Sequence, residues 1–248
     1  MLATKLEFFD CNARIGRPTV WRPGELTTTD GILAEMDYAG ISRALVHHSL
    51  AAQWSPRDGN ETLVEEIAAQ DRLFPCFAAL PGATEEMPSP AEFAAQVHEA
   101  HGAVRLFPKD QQFRFTNWCM ADTLGALEAR RVPVLIEMGQ TTWDDIAGVL
   151  QTHPGLPVIV LNCYYRMDRY FYPLMDKHAN LYLETTTHQV FRGIEDICRR
   201  FGHERLLFGT NLPKLETGGP IAQIVYAELP DEAKQAIAGG TLKNLLGL

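Results

Sequence analysis

The sequence predicts an α/β fold, a single (β/α)8 TIM barrel formed by one domain over residues 1–248. The length of 248 residues is the first reason, because about 250 residues is typical of one such barrel. The second is the order of elements, in which eight short apolar runs alternate with stretches of helical periodicity. The third is that most runs are continuously apolar, as expected of parallel strands covered on both faces.

The eight apolar runs are the predicted strands. They cover residues 6–13, 44–51, 73–80, 103–107, 132–138, 157–163, 180–186 and 205–210. A doubly wound open sheet is the competing α/β arrangement, but it usually has fewer strands and a glycine-rich first turn. The residues after the first run, from Arg14 to Pro18, do not form such a phosphate-binding loop, which favours the closed barrel.

The predicted helices lie between the strands. Residues 30–40 repeat apolar side chains at helical spacing and end at Gly40, and a second helix over 60–70 begins at Asn60, a good N-cap. The same pattern recurs in residues 90–101, 121–131, 143–153 and 190–201. Residues 231–248 predict two closing helices that are broken at Gly239 and Gly240.

Charge and composition argue against several classes of partner. The chain has 22 Lys and Arg against 31 Asp and Glu, a net charge of −9, whereas nucleic-acid binding needs a basic face. No run approaches the length of a membrane span, and the N-terminus lacks a signal-peptide pattern. The five cysteines are odd in number and widely spaced, which argues against a disulfide framework. We therefore expect a cytoplasmic protein that binds neither nucleic acid nor membrane.

Polar residues cluster where the predicted strands end, which in such barrels is where the active site lies. The first strand ends with Asp10, Asn12 and Arg14, which the two-residue strand period should point the same way. The second offers His47 or His48, but adjacent residues cannot both face inward. The remaining candidates at strand ends are Arg105, Glu137, Asn162, Glu184, His188 and Asn211.

Four of these segments resemble the strand ends of the amidohydrolase-related family. They read FDCNARIG at 9–16, VPVLIEMG at 132–139, VIVLNC at 158–163 and LLFGTNLP at 206–213. In that family the first reads Asp-x-His-x-His, the next two end in His, and the last carries Asp in Gly-Ser/Thr-Asp-x-Pro. GAVRLFP at 102–108 and IAGGTLKNLLGL at 237–248 are also similar to family segments.

The resemblance implies hydrolysis of C–N or C–O bonds, or decarboxylation of small acids, mostly with one divalent metal that is often zinc. The positions of the family's metal ligands hold Asn12, Arg14, Glu137, Asn162 and Asn211 here. Amide oxygens are weak ligands for zinc, and a guanidinium presents only hydrogen-bond donors. We therefore expect no metal cofactor at these positions, with zinc bound by other residues as the alternative.

A charge count suggests what replaces the ion. We expect Arg14 to take its place and to pair with Glu137 across the barrel mouth, with Arg105 restoring a net positive charge. The predicted catalytic residues are Glu137, Glu184 and Asn211. The predicted substrate-binding residues are Asn12, Arg14, His47, Arg105, Asn162 and His188. For each residue a purely structural role is the alternative.

Three functions remain open at this stage. The first is a hydrolase or decarboxylase of a small carboxylate-bearing compound, with a polar network in place of the metal. The second is a catalytically inactive barrel that binds or senses a small molecule. The third is a metal-dependent hydrolase with other ligands, drawn from His47, His48, His188 and Cys163. The resemblance is also compatible with a homodimer. Strand parity predicts that Cys11 and Cys163 face outward as inert buried thiols.

Overall fold

The computed structural model describes residues 6–248, and its centre is a sheet of eight parallel strands paired in sequence order. The strands are β1 (Phe8–Ile15), β2 (Ile41–His48), β3 (Leu73–Ala78), β4 (Ala103–Leu106), β5 (Val134–Glu137), β6 (Val158–Leu161), β7 (Leu181–Glu184) and β8 (Leu206–Leu207). Backbone hydrogen bonds from Cys11 to Phe208 and from Arg14 to Leu212 join β1 to the chain after β8. The sheet therefore closes on itself, and the predicted (β/α)8 barrel is confirmed.

Most helices cover the outside of the strands, and the last one closes the N-terminal end of the barrel. They are α1 (Thr29–Ala39), α2 (Ser49–Gln53), α3 (Pro56–Ile67), α4 (Pro90–Glu99), α5 (Asn117–Ala129), α6 (Trp143–Thr152), α7 (Asp168–Lys177), α8 (Gly193–Phe201), α9 (Gly218–Val225), α10 (Asp231–Gln235) and α11 (Thr241–Leu245). Their ends follow local chemistry, as where Ser89 and Glu92 form a reciprocal capping box on α4. Among the described residues, no helix is long and apolar enough to cross a membrane.

Some element boundaries differ from the sequence-based expectation. The helix predicted over 60–70 begins at Pro56 and is capped by Ser55. Asn60 instead exchanges two hydrogen bonds of 2.8 Å with the backbone of Ala78, so it ties α3 to β3. The two closing helices are joined by a π-helical turn, Ala236–Gly240, rather than broken. A Cβ at Gly239 would lie 2.8 Å from the Glu7 carbonyl oxygen and 3.2 Å from the Phe9 nitrogen, so glycine lets this turn pack closely on β1.

The barrel interior is apolar in its lower half, towards the N-terminal ends of the strands. Alternate strand residues fill it and pack against two leucines of α11. The interior set is Phe9, Cys11, Leu45, Cys76, Ala103, Leu135, Ile159, Leu161 and Leu207, with Leu242 and Leu246 from α11. This apolar layer, here called the apolar floor, lies directly beneath the polar residues of the upper half.

A bulge in β1 breaks the expected alternation. Asp10 pairs with Ala44 and Ala13 pairs with Val46, so Cys11 and Asn12 together oppose the single residue between those partners. Cys11 consequently packs inside the barrel, and the prediction that it faces outward was wrong. Asp10 accepts hydrogen bonds from Thr210, whereas the Asn12 side chain bonds Arg105, so these neighbours do not point the same way. Cys163 packs in the outer layer as predicted.

Candidate active site

A pocket of about 280 Å³ opens at the C-terminal ends of the strands, which is the end where such barrels carry their active sites. Strand residues form its base and loop residues form its rim. Five of the nine predicted site residues line it: Arg14, His47, Arg105, Glu137 and Asn211.

Arg105 on β4 is the centre of the polar cluster. Its side chain is 5% exposed, and its Nη2 donates to Glu137 Oε2 at 3.0 Å. Its Nη1 donates to Asn12 Oδ1 at 2.7 Å, which explains how Asn12 reaches the site without lining the pocket. Both Arg105 Nε and Asn12 Nδ2 are buried without a partner among the described residues, so the cluster has unused donors.

His47 is held in one neutral form. Its Nδ1 lies 3.0 Å from the Ala13 carbonyl oxygen, which can only accept, and 3.4 Å from Arg105 Nη1, which can only donate. We assign the proton to Nδ1 on the shorter of these two contacts. Burial, followed by the charges of Arg105 and Arg14, holds the pKa of His47 well below its usual value. The lowered pKa keeps the ring neutral at physiological pH, and with the proton on Nδ1 its Nε2 is a hydrogen-bond acceptor. His48 faces away and packs against Gly16, where a side chain would collide with its ring, so only one of the pair faces inward, as predicted.

Arg14 is held between the barrel and the loop that covers its mouth. Its Nη1 donates to Ser49 Oγ at 3.1 Å, and its Nη2 forms an ion pair with Glu25. Ser49 is buried at the start of α2 and donates in turn to the Gly16 carbonyl at 2.7 Å. Burial lowers the pKa of Arg14, and Glu25 is the largest opposing influence.

The expected ion pair between Arg14 and Glu137 is absent, and that prediction was wrong. Glu137 pairs with Arg105 because β4 and β5 are neighbouring strands whose inward side chains lie side by side. Arg14 pairs with Glu25 because residues 16–28 fold back over the mouth and place that carboxylate on it. Two separate ion pairs thus occupy the pocket instead of one.

Asn162 and Asn211 form a third part of the site. Both adopt the left-handed backbone conformation, with φ of 54° and 57°, which Asn tolerates better than most residues. Their side chains meet, with Asn211 Nδ2 3.4 Å from Asn162 Oδ1. Asn211 lines the pocket, and Asn162 stands behind it.

Glu184 lies below this pair and is fully buried. It accepts hydrogen bonds from the Thr186 backbone at 2.6 Å and from the Thr186 hydroxyl, with the Asn162 nitrogen at 3.4 Å. Burial raises the pKa of Glu184 to about 7, although the bonds from Thr186 oppose the shift. The carboxyl does not line the pocket, and an acid or base role there stays a prediction.

His188 lies apart from the pocket. It is fully buried, and its Nδ1 is 3.7 Å from Asp168 Oδ1, a side chain of α7. Burial lowers its pKa, against the raising effect of Asp168. His188 does not line the pocket and lies against the backbone of Cys163, next to Asn162, so its substrate-binding role stays a prediction.

Several pocket residues were not anticipated from the sequence. Glu25, Ser49, Asp110, Gln140 and Lys214 all line the pocket. Four of the five lie in connecting loops, and Ser49 lies in a helix that the strand pattern concealed. The length of the segment between β1 and α1 was the available signal, since long loops at this end of a barrel often carry functional groups.

The side chains at the C-terminal ends of the strands do not fit a divalent metal. Among residues 6–248, no group of three or more His, Cys, Asp or Glu side chains is arranged to hold a metal ion. Arg14 stands at one of the positions that resemble the family's ligands, and Arg105 already holds the Glu137 carboxylate. Two guanidinium groups beside one engaged carboxylate do not suit a cation.

Comparison with known proteins shows the family and the fold of the chain. The family model described as "Amidohydrolase" matches residues 27–248. No curated protein sequence matches the chain.

Solved structures agree over nearly the whole chain. A 5-carboxyvanillate decarboxylase from Sphingomonas paucimobilis is 13% identical, covers 98% of this chain and 99% of its own, and has a TM-score of 0.74. A 2,6-dihydroxybenzoate decarboxylase from Rhizobium is 15% identical, with coverages of 98% and 99% and a TM-score of 0.73. A dihydroxybenzoic acid decarboxylase from Polaromonas sp. JS666, solved with manganese and the inhibitor 2-nitroresorcinol, is 17% identical, with coverages of 98% and 97% and a TM-score of 0.77. At these identities the likeness shows the shared fold.

Proposed function

Because the chain belongs to the amidohydrolase family, we propose that its pocket binds a small carboxylate-bearing compound and catalyses its decarboxylation or hydrolysis. The observation that carries this proposal is the pair of arginines in one small pocket, Arg105 buried in the base and Arg14 below the covering loop. A guanidinium binds a carboxylate through two parallel hydrogen bonds, which fixes its orientation. The decarboxylases that share the fold support a carboxylic acid as the substrate class.

The same pocket supplies groups that can move a proton. The neutral His47 offers Nε2 as an acceptor, and Glu137 is the carboxylate of the base, with its side chain 27% exposed. When a carboxylate leaves as CO2, the electron pair of the broken C–C bond stays on carbon and takes up a proton. That proton comes from water, and Glu137 is the group best placed to relay it to the carbon. Asn211 is placed to orient the ligand by hydrogen bonds.

We propose that this chemistry does not use a metal held at the five positions that resemble the family's ligands. The argument is the chemistry of the donors, since Asn12, Asn162 and Asn211 are neutral amides and Arg14 is a cation. In their place Arg105 and Arg14 supply the positive charge.

The test is turnover by protein purified without chelator, with its metal content measured by elemental analysis. We would incubate it with 2,6-dihydroxybenzoate, 5-carboxyvanillate and a panel of other small carboxylic acids and amides, and detect products by chromatography. Turnover that persists with EDTA and is lost in Arg105→Gln, but not in Arg130→Gln on the outer surface, is the expected result. Activity that EDTA abolishes and manganese restores would contradict the metal-free proposal.

An inactive binding barrel is the second candidate, and it has its own observation in favour. Both arginines already hold a carboxylate of the chain, so the pocket is stable without a ligand. Acids that bind and raise the melting temperature but never turn over would support this function.

A further inference from the structure

The anion-binding side of Arg14 is filled by a carboxylate from the chain itself. Glu25 Oε1 accepts a hydrogen bond from Arg14 Nη2, and Glu25 Oε2 accepts one from the backbone nitrogen of Arg22 at 3.1 Å. All three residues line the pocket. One guanidinium and one backbone N–H on the two oxygens of a carboxylate is also how a protein would hold a bound acid.

Arg14 itself is fixed in place, so the exchangeable partner is Glu25. Ser49 holds Arg14 from behind, and the buried start of α2 holds Ser49. Glu25 belongs to residues 16–28, whose middle carries the exposed Val20, 82% accessible. The tip of this segment is attached to α2 by hydrogen bonds from the Thr19 backbone nitrogen and hydroxyl to Gln53 Oε1, whereas the bond from the Trp21 indole to the Glu25 carbonyl lies within the segment.

The second ion pair of the pocket does not offer the same exchange. Glu137 ends β5, a strand paired on both sides, and its partner Arg105 is also held by Asn12. Moving Glu137 away would disturb the barrel, whereas moving Glu25 needs only the loop to lift. A ligand can therefore displace Glu25 from Arg14 more easily than it can displace Glu137 from Arg105.

We propose that Glu25 occupies the place of the ligand's carboxylate and that an acid binds by exchange with it at Arg14 and at the Arg22 backbone. This inference rests on the proposed function, because it concerns the same pocket. Glu25 then determines specificity, since a compound without an anionic group gains nothing by displacing a carboxylate. Binding also frees residues 16–28 from their attachment to Arg14.

Replacing Glu25 by Gln tests the exchange. The amide keeps the shape but loses the charge, and charge-assisted bonds are about twice as strong as neutral ones. Benzoate, measured by isothermal titration calorimetry, should bind the Glu25→Gln protein about tenfold more tightly than the unaltered protein, a difference of about 1.4 kcal/mol. Adding Arg14→Gln to that variant should remove the gain.

A matched control separates exchange from a general effect of charge. Asp110 lines the opposite wall of the pocket and accepts from Gln140 Nε2 at 2.7 Å, a bond that Asn can replace. Asp110→Asn removes the same charge without vacating Arg14, so the exchange predicts little change in its benzoate affinity. An equal gain in both variants would overturn the proposal, as would no gain in Glu25→Gln.

Hydrogen exchange of residues 16–28 gives a second readout. In the unaltered protein, benzoate should make this segment exchange faster, because Glu25 is released. Slower or unchanged exchange at saturating benzoate contradicts displacement. Benzoate that binds by exchange while none of the tested acids turns over would reject the proposed catalysis and keep this inference. Turnover of a tested acid, without any gain of benzoate affinity in Glu25→Gln, would keep the proposed catalysis and reject this inference.

Discussion

Arg105 is the residue on which the base of the pocket depends. It is almost fully buried, and two polar partners, Glu137 and Asn12, rely on its guanidinium. A buried charge whose partner is removed loses its compensation, and this costs more than the pair itself contributes. The position is therefore important for stability as well as for any ligand.

We predict that Arg105→Met destabilises the fold by about 3–5 kcal/mol, the usual cost of breaking a buried ion pair. Urea unfolding at pH 7 would measure it. The double variant with Glu137→Gln should recover part of the loss, since no unpaired carboxylate remains. A loss below about 1 kcal/mol, the value typical of surface pairs, would show that solvent reaches this pair.

Glu184 makes stability depend on pH near neutrality. Burial raises its pKa from 4.5 to about 7, and burial likewise raises the pKa of Asp10 to about 6. A raised pKa means that the folded state binds more protons than the unfolded state within that window. The free energy of unfolding therefore falls as pH rises from about 4.5 to about 7.

We predict that Glu184→Gln flattens this dependence. The amide oxygen can still accept from Thr186, while the group that releases a proton on unfolding is gone. Urea unfolding between pH 5 and pH 8 should show a smaller fall for the variant than for the unaltered protein. Glu61→Gln, an exposed change of the same type, should leave the slope as it is. If Glu184→Gln also kept the slope, another group would be responsible.

At the scale of elements, the strands could be predicted from the sequence and some side-chain directions could not. The eight runs are apolar because both faces of each strand are covered, and this signal survives without any knowledge of the fold. The bulge at Cys11 and Asn12 depends on pairing with β2 and leaves no mark on hydropathy. Helix α7 was missed because it contains Pro173 and many polar residues.

The contact between α2 and α3 gives a prediction for a single glycine. A Cβ on Gly59 would lie 2.0 Å from the backbone nitrogen of Ala51, whereas a Cβ on Gly125 of α5 meets nothing within 4 Å. Gly59→Ala should destabilise the protein by about 1–3 kcal/mol through overpacking. Gly125→Ala should stabilise it by up to about 1 kcal/mol through helix propensity. Thermal or urea unfolding of both variants measures these changes in stability. If Gly59→Ala stabilised the protein, the close contact between α2 and α3 would be refuted.

At the scale of the molecule, the two ends of the barrel differ: one carries the pocket and the other is filled by packed apolar side chains. The pocket lies at the C-terminal ends of the strands, and α11 packs into the apolar interior from the other end. At the N-terminal end, side-chain volume determines packing and stability. At the C-terminal end, the chemical type of the side chains determines what the pocket can bind. One substitution in the apolar interior should therefore change stability without changing ligand binding.

Leu242→Ala should destabilise the fold by about 2–5 kcal/mol, as large-to-small changes in cores do. Leu242 is 1% exposed and packs in the apolar interior, away from every pocket residue. Its benzoate affinity, measured below the melting transition, should equal that of the unaltered protein. A changed affinity would mean that the two ends are coupled.

The candidate site was predictable in its position and only partly in its contacts. Parallel strands in order bring their C-terminal ends together, so Arg14, His47, Arg105, Glu137 and Asn211 share one pocket. The partner of Arg14 was not predictable, because Glu25 lies in a loop without periodicity that reaches the site only after folding. His188 follows a strand end in sequence but does not line the pocket, and its role stays a prediction.

The apolar floor beneath the polar cluster also shapes the electric field at the mouth. A wall of low dielectric constant behind a charge, with water in front, directs the field outward. The molecule as a whole carries a charge of −9, so a small anion is repelled from afar and attracted only close to the arginines. Salt screens the distant repulsion beyond roughly 8 Å at 0.15 M and affects a buried guanidinium far less. Added salt should therefore speed the association of benzoate in stopped-flow measurements, the reverse of what electrostatic steering gives for oppositely charged partners.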